Sequence, residues 1–191
     1  MTNSTKEYLM FPKGTAVFPA LDRPDTKFDE LGMYKADVRI PEADAKPIIA
    51  KLTATCEEHG VAIEDERKNN LWEFETDEDG SPNGNVVFKL RVKNRMTKAG
   101  KLWDRRPLVI DRSRMPISAD TPIWGGSEIV VKAEVRKWEF NTKRGVQLQP
   151  VAVQVIELVS GGGQHMSDFE EFDTPSEEPI DVIPESGGAD Y

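Results

Sequence analysis

Three segments of this chain alternate apolar and polar residues one by one, and this alternation restricts the possible folds more than any other feature. Side chains on a β-strand point to opposite faces in turn, so an apolar residue at every second position predicts a strand with one buried face. The apolar positions are Tyr34, Ala36, Val38 and Ile40 in residues 32–40, Phe88, Leu90 and Val92 in residues 86–93, and Ile129, Val131, Ala133 and Val135 in residues 129–135.

The remaining patterns up to residue 160 predict a small, mainly β body. A helix is expected at residues 43–58, because Ile48, Leu52 and Cys56 recur at helical spacing and Gly60 stands where a C-terminal cap is expected. About five strands and one helix favour a closed or half-closed barrel. Further strands are expected at residues 15–18, 108–111 and 146–158, with a hairpin connection at 141–145 in which Gly145 supplies the turn.

The C-terminal segment has a different composition. Residues 161–191 contain nine acidic residues and no Lys or Arg, which equals the net charge of −9 of the whole chain. The segment starts with Gly161-Gly162-Gly163 and has few apolar residues, so it cannot bury enough surface to offset its ordering entropy. We therefore predict a domain at residues 1–160 and a flexible, glycine-hinged, disordered acidic tail at 161–191.

Charge is also divided within the predicted domain. Residues 1–85 carry 10 bases and 18 acids, whereas residues 86–160 carry 15 bases and 7 acids. The two parts therefore differ by a net −8 against +8, which suggests an electrostatic function for the second part.

The strongest candidate site is a row of alternating cations that leads into a basic loop. Same-face residues of a strand repeat at roughly 7 Å, a spacing similar to that of phosphates along a single strand. Aromatic rings among cations are typical of proteins that bind single strands without sequence preference, because the rings stack on bases. The predicted nucleic-acid-binding residues are Tyr34, Lys35, Lys89, Arg91, Lys93, Arg95, Lys98, Lys101, Trp103, Arg105, Arg106, Arg136, Trp138, Phe140, Lys143 and Arg144.

The same residues allow plainer interpretations. Solvated strand faces are often rich in lysine, since charge discourages aggregation at sheet edges. Most tryptophans belong to a core, and we assign Trp72, Trp124, Phe74 and Phe88 a structural role. The acidic runs 64–66 and 77–79 suggest a metal-dependent nuclease, but consecutive carboxylates are usually solvated.

No nucleotide-binding or nucleophile motif occurs, so we expect no enzyme, no cofactor and no metal. The single cysteine, Cys56, rules out an internal disulfide and fits a reducing cytoplasm. No apolar run has the length of a membrane span, so no membrane partner is expected.

The order of several motifs resembles the single-stranded DNA-binding proteins of short-tailed, T-odd-type bacteriophages. The resemblance covers most of the domain and the tail. The matching pieces are the strand 32–41 before the helix, Phe88-Lys89-Leu90-Arg91 before a basic loop, Pro122-Ile123-Trp124-Gly125-Gly126-Ser127, Lys137-Trp138-Glu139-Phe140-Asn141-Thr142, and the glycine hinge before an acidic tail.

The resemblance implies an OB-fold that coats single-stranded DNA during replication and recombination in the cytoplasm of an infected bacterial host. It implies DNA contacts at Lys98, Lys101, Trp138 and Phe140, and a possible homodimer. It also implies contacts with replication proteins, such as a DNA polymerase or helicase, through a tail that ends in an aromatic residue. The expected tail contacts are Asp168, Phe169, Glu170, Glu171, Phe172, Asp190 and Tyr191.

The leading hypothesis is therefore a non-enzymatic protein that binds and protects single-stranded DNA, with a tail that competes with DNA for the cationic surface. The first alternative is a protein-interaction module whose acidic surface binds a basic partner. The second is a metal-dependent nuclease that uses the acidic runs.

Overall fold

A computed structural model of the chain describes residues 6–159. The predicted tail and its partner-binding residues lie outside this range, as does the predicted domain boundary. The described elements are β1 (Glu7–Met10), β2 (Gly14–Ala16), β3 (Ala20–Asp25), β4 (Met33–Lys35), β5 (Val38–Pro41), α1 (Glu42–Glu58), β6 (Trp72–Thr76), β7 (Pro82–Phe88), β8 (Arg91–Lys93), β9 (Arg95–Met96), β10 (Leu102–Trp103), β11 (Leu108–Ile110), β12 (Glu128–Phe140) and β13 (Lys143–Glu157).

The strands form a mainly β, OB-fold-like barrel of five strand paths: β2 with β3, β4 with β5, β7 with β8, β12, and β13. The first three paths are interrupted midway. β2 and β3 pair antiparallel with β5 and β4, which pair in turn with β7 and β8. β12 pairs with β2 on one side and with β13 on the other. An isolated parallel bridge between Leu90 and Leu148 joins the third path to β13. The five paths thus close on one another, as the sequence predicted for the barrel.

The apolar positions of the three alternating segments form the core of this barrel. Val38, Phe88 and Val131 have no exposed surface, and the rings of Phe11 and Phe88 meet edge to face at 5.1 Å. The charged residues between these positions lie on the outer side of the strands, except that Asp37 is buried. The burial of these positions confirms the predicted strand faces. A register shift of one residue would have moved the whole apolar set into solvent.

The helix α1 contacts β5, β7 and β13 with its apolar face. It starts one residue before the predicted range and ends at the predicted residue, Glu58. After it, Gly60 has a φ of 71° and the N–H of Val61 donates to the carbonyl oxygen of Cys56 at 2.8 Å. This left-handed glycine cap is the ending that the sequence predicted.

Candidate nucleic-acid interface

The predicted row of cations on the third strand path is largely neutralised by carboxylates. Lys89 Nζ lies 3.2 Å from Glu73 and also donates to the carbonyl oxygen of Asn69 at 2.8 Å. Lys93 Nζ lies 3.0 Å from Asp29. A hydrogen bond from Lys93 lowers the pKa of the Asp29 carboxyl, and hydrogen bonds from Lys68 and then Lys89 lower the pKa of the Glu73 carboxyl. These lysines therefore already have anionic partners.

The central cation of that row, Arg91, is paired with a buried carboxylate. Its guanidinium donates to Asp37 Oδ2 at 3.1 Å, and Oδ1 of the same carboxylate accepts the N–H of Leu90 at 2.9 Å. Burial raises the pKa of Asp37, against the opposing influence of Arg91. Asp37 thus fixes the strand interruption at Leu90, and Arg91 is first of all the counter-ion of a buried carboxylate. We call Lys89, Arg91 and Lys93 with their three carboxylates the paired row.

Two further predicted contacts lie at the start of the second strand path. Tyr34 is only 3% exposed, and burial followed by the nearby carboxylate of Asp104 raises its pKa to about 12. The prediction that Tyr34 contacts nucleic acid is therefore wrong: its phase places it on the inner face with Ala36 and Val38. Lys35 forms a partly buried ion pair with Asp25.

The basic loop contains a short hairpin. β9 and β10 pair Arg95 with Trp103, and a turn from Thr97 to Lys101 connects them. Lys98 and Lys101 project from this turn, and within residues 6–159 neither forms an ion pair. The hairpin thus presents exposed cations at its tip and an aromatic ring at its base.

A buried amide fixes the base of this hairpin to the barrel. Asn94 is buried; its Nδ2 donates to the carbonyl oxygen of Leu31 at 2.9 Å, and its Oδ1 accepts the N–H of Arg105 at 2.8 Å. The guanidinium of Arg105 donates to Oε1 of the buried Gln149 at 2.8 Å and lies 5.1 Å from the centre of the Trp103 ring. Both ends of Arg105 are therefore positioned before any ligand binds.

Three arginines and a tryptophan meet in one cleft of about 430 Å³. Burial, followed by the positive charges of Arg95 and Arg136, lowers the pKa of Arg105. None of the three arginines forms an ion pair within the described part of the chain, and Glu134 beside them is 3.3 Å from Lys6. We call this the cationic cleft; it is lined by Lys6, Arg95, Trp103, Arg105, Glu134, Arg136 and Lys137 among others.

Like charges gathered in this way repel one another, and a polyanion relieves that repulsion. Phosphates suit such a site because guanidinium groups bind their oxygens in pairs. Trp103 is 53% exposed, so a flat group has access to its ring. The cleft therefore combines charge for a backbone with a surface for a base.

The outer face of β12 extends from the cationic cleft toward the turn between β12 and β13. Arg136, Trp138 and Phe140 follow one another at every second position and so share that face. Trp138 lies opposite Gly145 on β13, and a Cβ atom added to Gly145 would stand 2.3 Å from the indole. The ring is therefore seated on bare backbone and remains 39% exposed.

The role predicted for Gly145 is corrected by this arrangement. Gly145 lies within β13, and the turn is made by Asn141, whose φ is 54°. Asparagine tolerates the left-handed region better than other non-glycine residues, which explains the position. Gly145 instead leaves room for the Trp138 ring.

The remaining predicted cations, Arg106, Lys143 and Arg144, differ in whether they have a partner within the protein. Arg144 lies 3.3 Å from Glu139, and Lys143 is exposed without an ion pair in the described residues. Arg106 donates from Nε to the carbonyl oxygen of Leu21 at 2.6 Å. Thus Arg106 is anchored to β3, whereas Lys143 remains free to contact a ligand.

Several residues of the site were not identified from the sequence. Asn94 and Gln149 position Arg105, and the only available signal was an amide at a buried phase of a strand. Trp124 was assigned to the core, but it is 51% exposed. Its flanking Gly125-Gly126 marks a loop, and that signal was available. The structural roles of Trp72 and Phe88 are confirmed by their complete burial.

Carboxylates of both acidic runs accept hydrogen bonds within their own loops. Asp65 accepts the N–H groups of Arg67 and Lys68, and Asp79 accepts the N–H of Ser81 at 2.9 Å. Across residues 6–159, no group of three His, Cys, Asp or Glu side chains is arranged to hold a metal ion. In the same residues, no helix has the length and apolar character needed to cross a membrane.

Comparison with known proteins shows a shared fold. No protein-family model matches the chain, and no curated protein sequence matches it. The crystal structure of gp2.5, a single-stranded DNA-binding protein encoded by bacteriophage T7, is 21% identical with a TM-score of 0.60, over 89% of this chain and 98% of that one.

A second solved structure gives a similar result. The single-stranded DNA-binding protein from bacteriophage Enc34, in complex with single-stranded DNA, is 16% identical with a TM-score of 0.58, over 80% of this chain and 88% of that one. At these identities the likeness concerns the fold. This chain therefore has the OB-fold-like barrel seen in single-stranded DNA-binding proteins of bacteriophages.

Proposed function

We propose that this protein binds single-stranded DNA without sequence preference, and that it coats and protects the strand during phage replication and recombination. One observation carries the proposal: Arg95, Arg105 and Arg136 line one cleft with Trp103 and lack carboxylate partners within residues 6–159. A protein of the same fold has been solved in complex with single-stranded DNA, which adds support. Binding, and no chemical reaction on the strand, is the proposed activity.

The path proposed for the strand starts at the cationic cleft and follows the outer face of β12. Phosphates neutralise the arginines, and bases stack on Trp103 and Trp138. Phe140, at the end of the same face, extends the stacking surface. Lys98 and Lys101 reach the strand from the hairpin tip, and Lys143 from the β12–β13 turn. These contacts are made with the phosphates of the strand and with the faces of its bases. Every base has such a face, so no sequence preference follows.

The acidic C-terminal segment adds regulation to this proposal. Its nine carboxylates complement the cationic cleft, and attachment to the same chain gives the segment a high effective concentration there. In the absence of DNA, we propose that the segment competes for the cleft. Once DNA displaces it, its acidic residues and Tyr191 are free to recruit replication proteins in the infected bacterial host.

Titration of labelled oligonucleotides with the full chain tests the binding activity. We expect quenching of tryptophan fluorescence with single strands of any sequence, and an affinity that falls steeply with salt. The strand should remain intact in the presence of Mg²⁺. Absence of binding at low salt, or cleavage of the strand, would refute the proposal.

Removal of residues 161–191 tests the competition separately. The shortened protein should bind more tightly, most clearly at low salt, where attraction between tail and cleft is strongest. A matched control replaces the nine acidic residues by their amides without shortening the chain, and it should reproduce the gain. Equal or weaker affinity of both variants would remove the tail from the cleft.

A further inference from the structure

Two exposed aromatic side chains line a second cleft that the proposed path does not use. Phe18 is 88% exposed and Trp124 is 51% exposed, and both line one open cleft of about 640 Å³. Within the described residues, neither ring is paired with another ring. Pro24 and Pro122 contribute further apolar walls. Large exposed rings that face a common space are unusual for a monomer surface and indicate a ligand. We call this the aromatic cleft.

The backbone holds the Phe18 side of this cleft in an unfavourable conformation. Phe18 has a φ of 43°, in the left-handed region that bulky residues avoid. The segments that carry the two rings are bound to each other: Ala16 donates its N–H to Ser127 at 2.8 Å and accepts the N–H of Gly126 at 3.0 Å. The fold thus maintains a strained residue whose ring faces solvent, and such strain is concentrated at functional positions.

A row of contacts connects the aromatic cleft with the cationic cleft. Arg105 lines the cationic cleft, and the next residue, Arg106, donates to the carbonyl oxygen of Leu21 on β3. The neighbours of Leu21 in sequence line the aromatic cleft. One amino nitrogen of Arg106 is buried without an acceptor among residues 6–159. The Arg105–Arg106 segment therefore links residues of the cationic cleft to the part of β3 that lines the aromatic cleft.

The charge beside the aromatic cleft is compatible with the same ligand. Lys27 has no carboxylate partner in the described part of the chain and lies 5.3 Å from the centre of the exposed Phe28 ring. Arg23 is exposed, with its closest carboxylate, Asp22, at 3.8 Å. Among the described residues, Lys27 therefore adds an unpaired cation to this cleft, whereas Arg23 and Lys35 there are paired with Asp22 and Asp25.

We propose that the aromatic cleft is a second subsite, in which Phe18 and Trp124 hold unstacked nucleobases of the strand that occupies the cationic cleft. This inference rests on the proposed function, since it extends the same binding path. Stacking tolerates any base, because every base has an aromatic face. The subsite therefore increases the length of strand covered by one protomer without adding sequence preference.

The test compares short and long single strands of thymidine on the full chain. OB-fold site sizes are about 4–16 nucleotides, so strands of about 4 and about 16 nucleotides probe one cleft and both clefts. Phe18→Ala and Trp124→Ala should each lower affinity for the long strand about fivefold or more and leave the short strand unchanged. Trp124→Phe, which keeps a ring, should retain most of the affinity.

Folding is controlled by a variant that relieves the strain. Phe18→Gly permits the left-handed φ, so its thermal midpoint should equal or exceed that of the parent, while long-strand affinity still falls. Parental affinity of Phe18→Gly and Trp124→Ala for the long strand would overturn the subsite. An equal loss with the short strand would also overturn it, because the defect would then be general.

Two further outcomes separate this proposal from others. Arg105→Ala with Arg136→Ala should weaken binding of both strand lengths; no effect on either would refute the proposed function itself. If Phe18→Gly and Trp124→Ala bind DNA normally but lose binding of a peptide of residues 161–191, the cleft holds the chain's own C-terminal segment and the nucleobase subsite is wrong.

Discussion

The paired row and the cationic cleft contain similar cations but differ in their partners. Each cation of the row has a carboxylate within 3.2 Å, whereas Arg95, Arg105 and Arg136 have no ion pair in residues 6–159. A cation that already has a partner gains little from a phosphate, because the existing pair must first be broken. The comparison teaches that the number of basic residues on a strand does not measure its affinity for a polyanion.

The largest effect is expected from removing charge in the cationic cleft. Arg105→Ala with Arg136→Ala should weaken single-strand binding by about 10- to 100-fold at low salt, since two charge-assisted contacts are lost. The slope of log affinity against log salt should become shallower by about 1.4. Fluorescence titrations at several salt concentrations measure both quantities.

The matched control removes the same charge from the paired row. Lys89→Ala with Lys93→Ala should change the affinity and the salt slope much less than the cleft variant does. Equal effects of the two double variants would contradict the distinction between the two regions.

The ring of Trp138 extends the proposed binding surface along β12, beyond the cationic cleft. Gly145→Ala should displace the indole, because the added Cβ would stand 2.3 Å from it. We expect a loss equivalent to about 1–3 kcal/mol of binding free energy, similar to that of Trp138→Ala. Titration of both single variants and of the double variant measures this loss.

The double variant also provides the control. Once Trp138 is alanine, Gly145→Ala has no ring to displace and should add little to the loss. If Gly145→Ala alone keeps parental affinity and fluorescence quenching, Trp138 does not act as a base platform.

A smaller change should convert part of the paired row into open surface. Asp29→Asn removes the carboxylate beside Lys93 but keeps an oxygen to accept the N–H of Leu31. The released lysine should tighten binding severalfold at low salt and steepen the salt slope by about 0.7. Binding measured across a salt series should reveal the gain. Asp29→Asn with Lys93→Ala should abolish it, and a gain that persists in this double variant would assign it to another cause.

The smallest expected effect concerns how the free energy of unfolding depends on pH. The pKa of Glu73 in the folded protein is lowered from 4.5, first by Lys68 and then by Lys89. The stability contributed by Glu73 is therefore present above pH 4.5 and is lost as pH falls through the lowered pKa. Glu73→Gln should reduce the free energy of unfolding by less than about 1 kcal/mol at pH 7, because solvent screens the pairs. Urea unfolding from pH 7 to about pH 3 should show the difference between parent and variant disappear. A constant difference over that range would contradict this origin.

Much of the barrel was predictable because its signals are local. Alternation placed Val38, Phe88 and Val131 on the inner face, and the glycine after the helix marked its end. The sequence also placed Trp103 in a basic segment and Trp138 at a strand end, but it predicted a loop where β9 and β10 form a hairpin. The contact predicted for Tyr34 was wrong, because its residue type was given more weight than its position on the apolar face of the strand.

What the sequence determined by itself is the phase of each strand, the single helix and the set of candidate cations and rings. Only the tertiary structure decided which cations remain unpaired. Arg91 and Asp37 are 54 residues apart in sequence, and the pairing of β4 with β8 brings them to 3.1 Å. The acidic first part and the basic second part thus neutralise each other along the paired row. Charge separation along a chain becomes charge separation in space only where folding leaves opposite charges far apart, as it does at the cationic cleft.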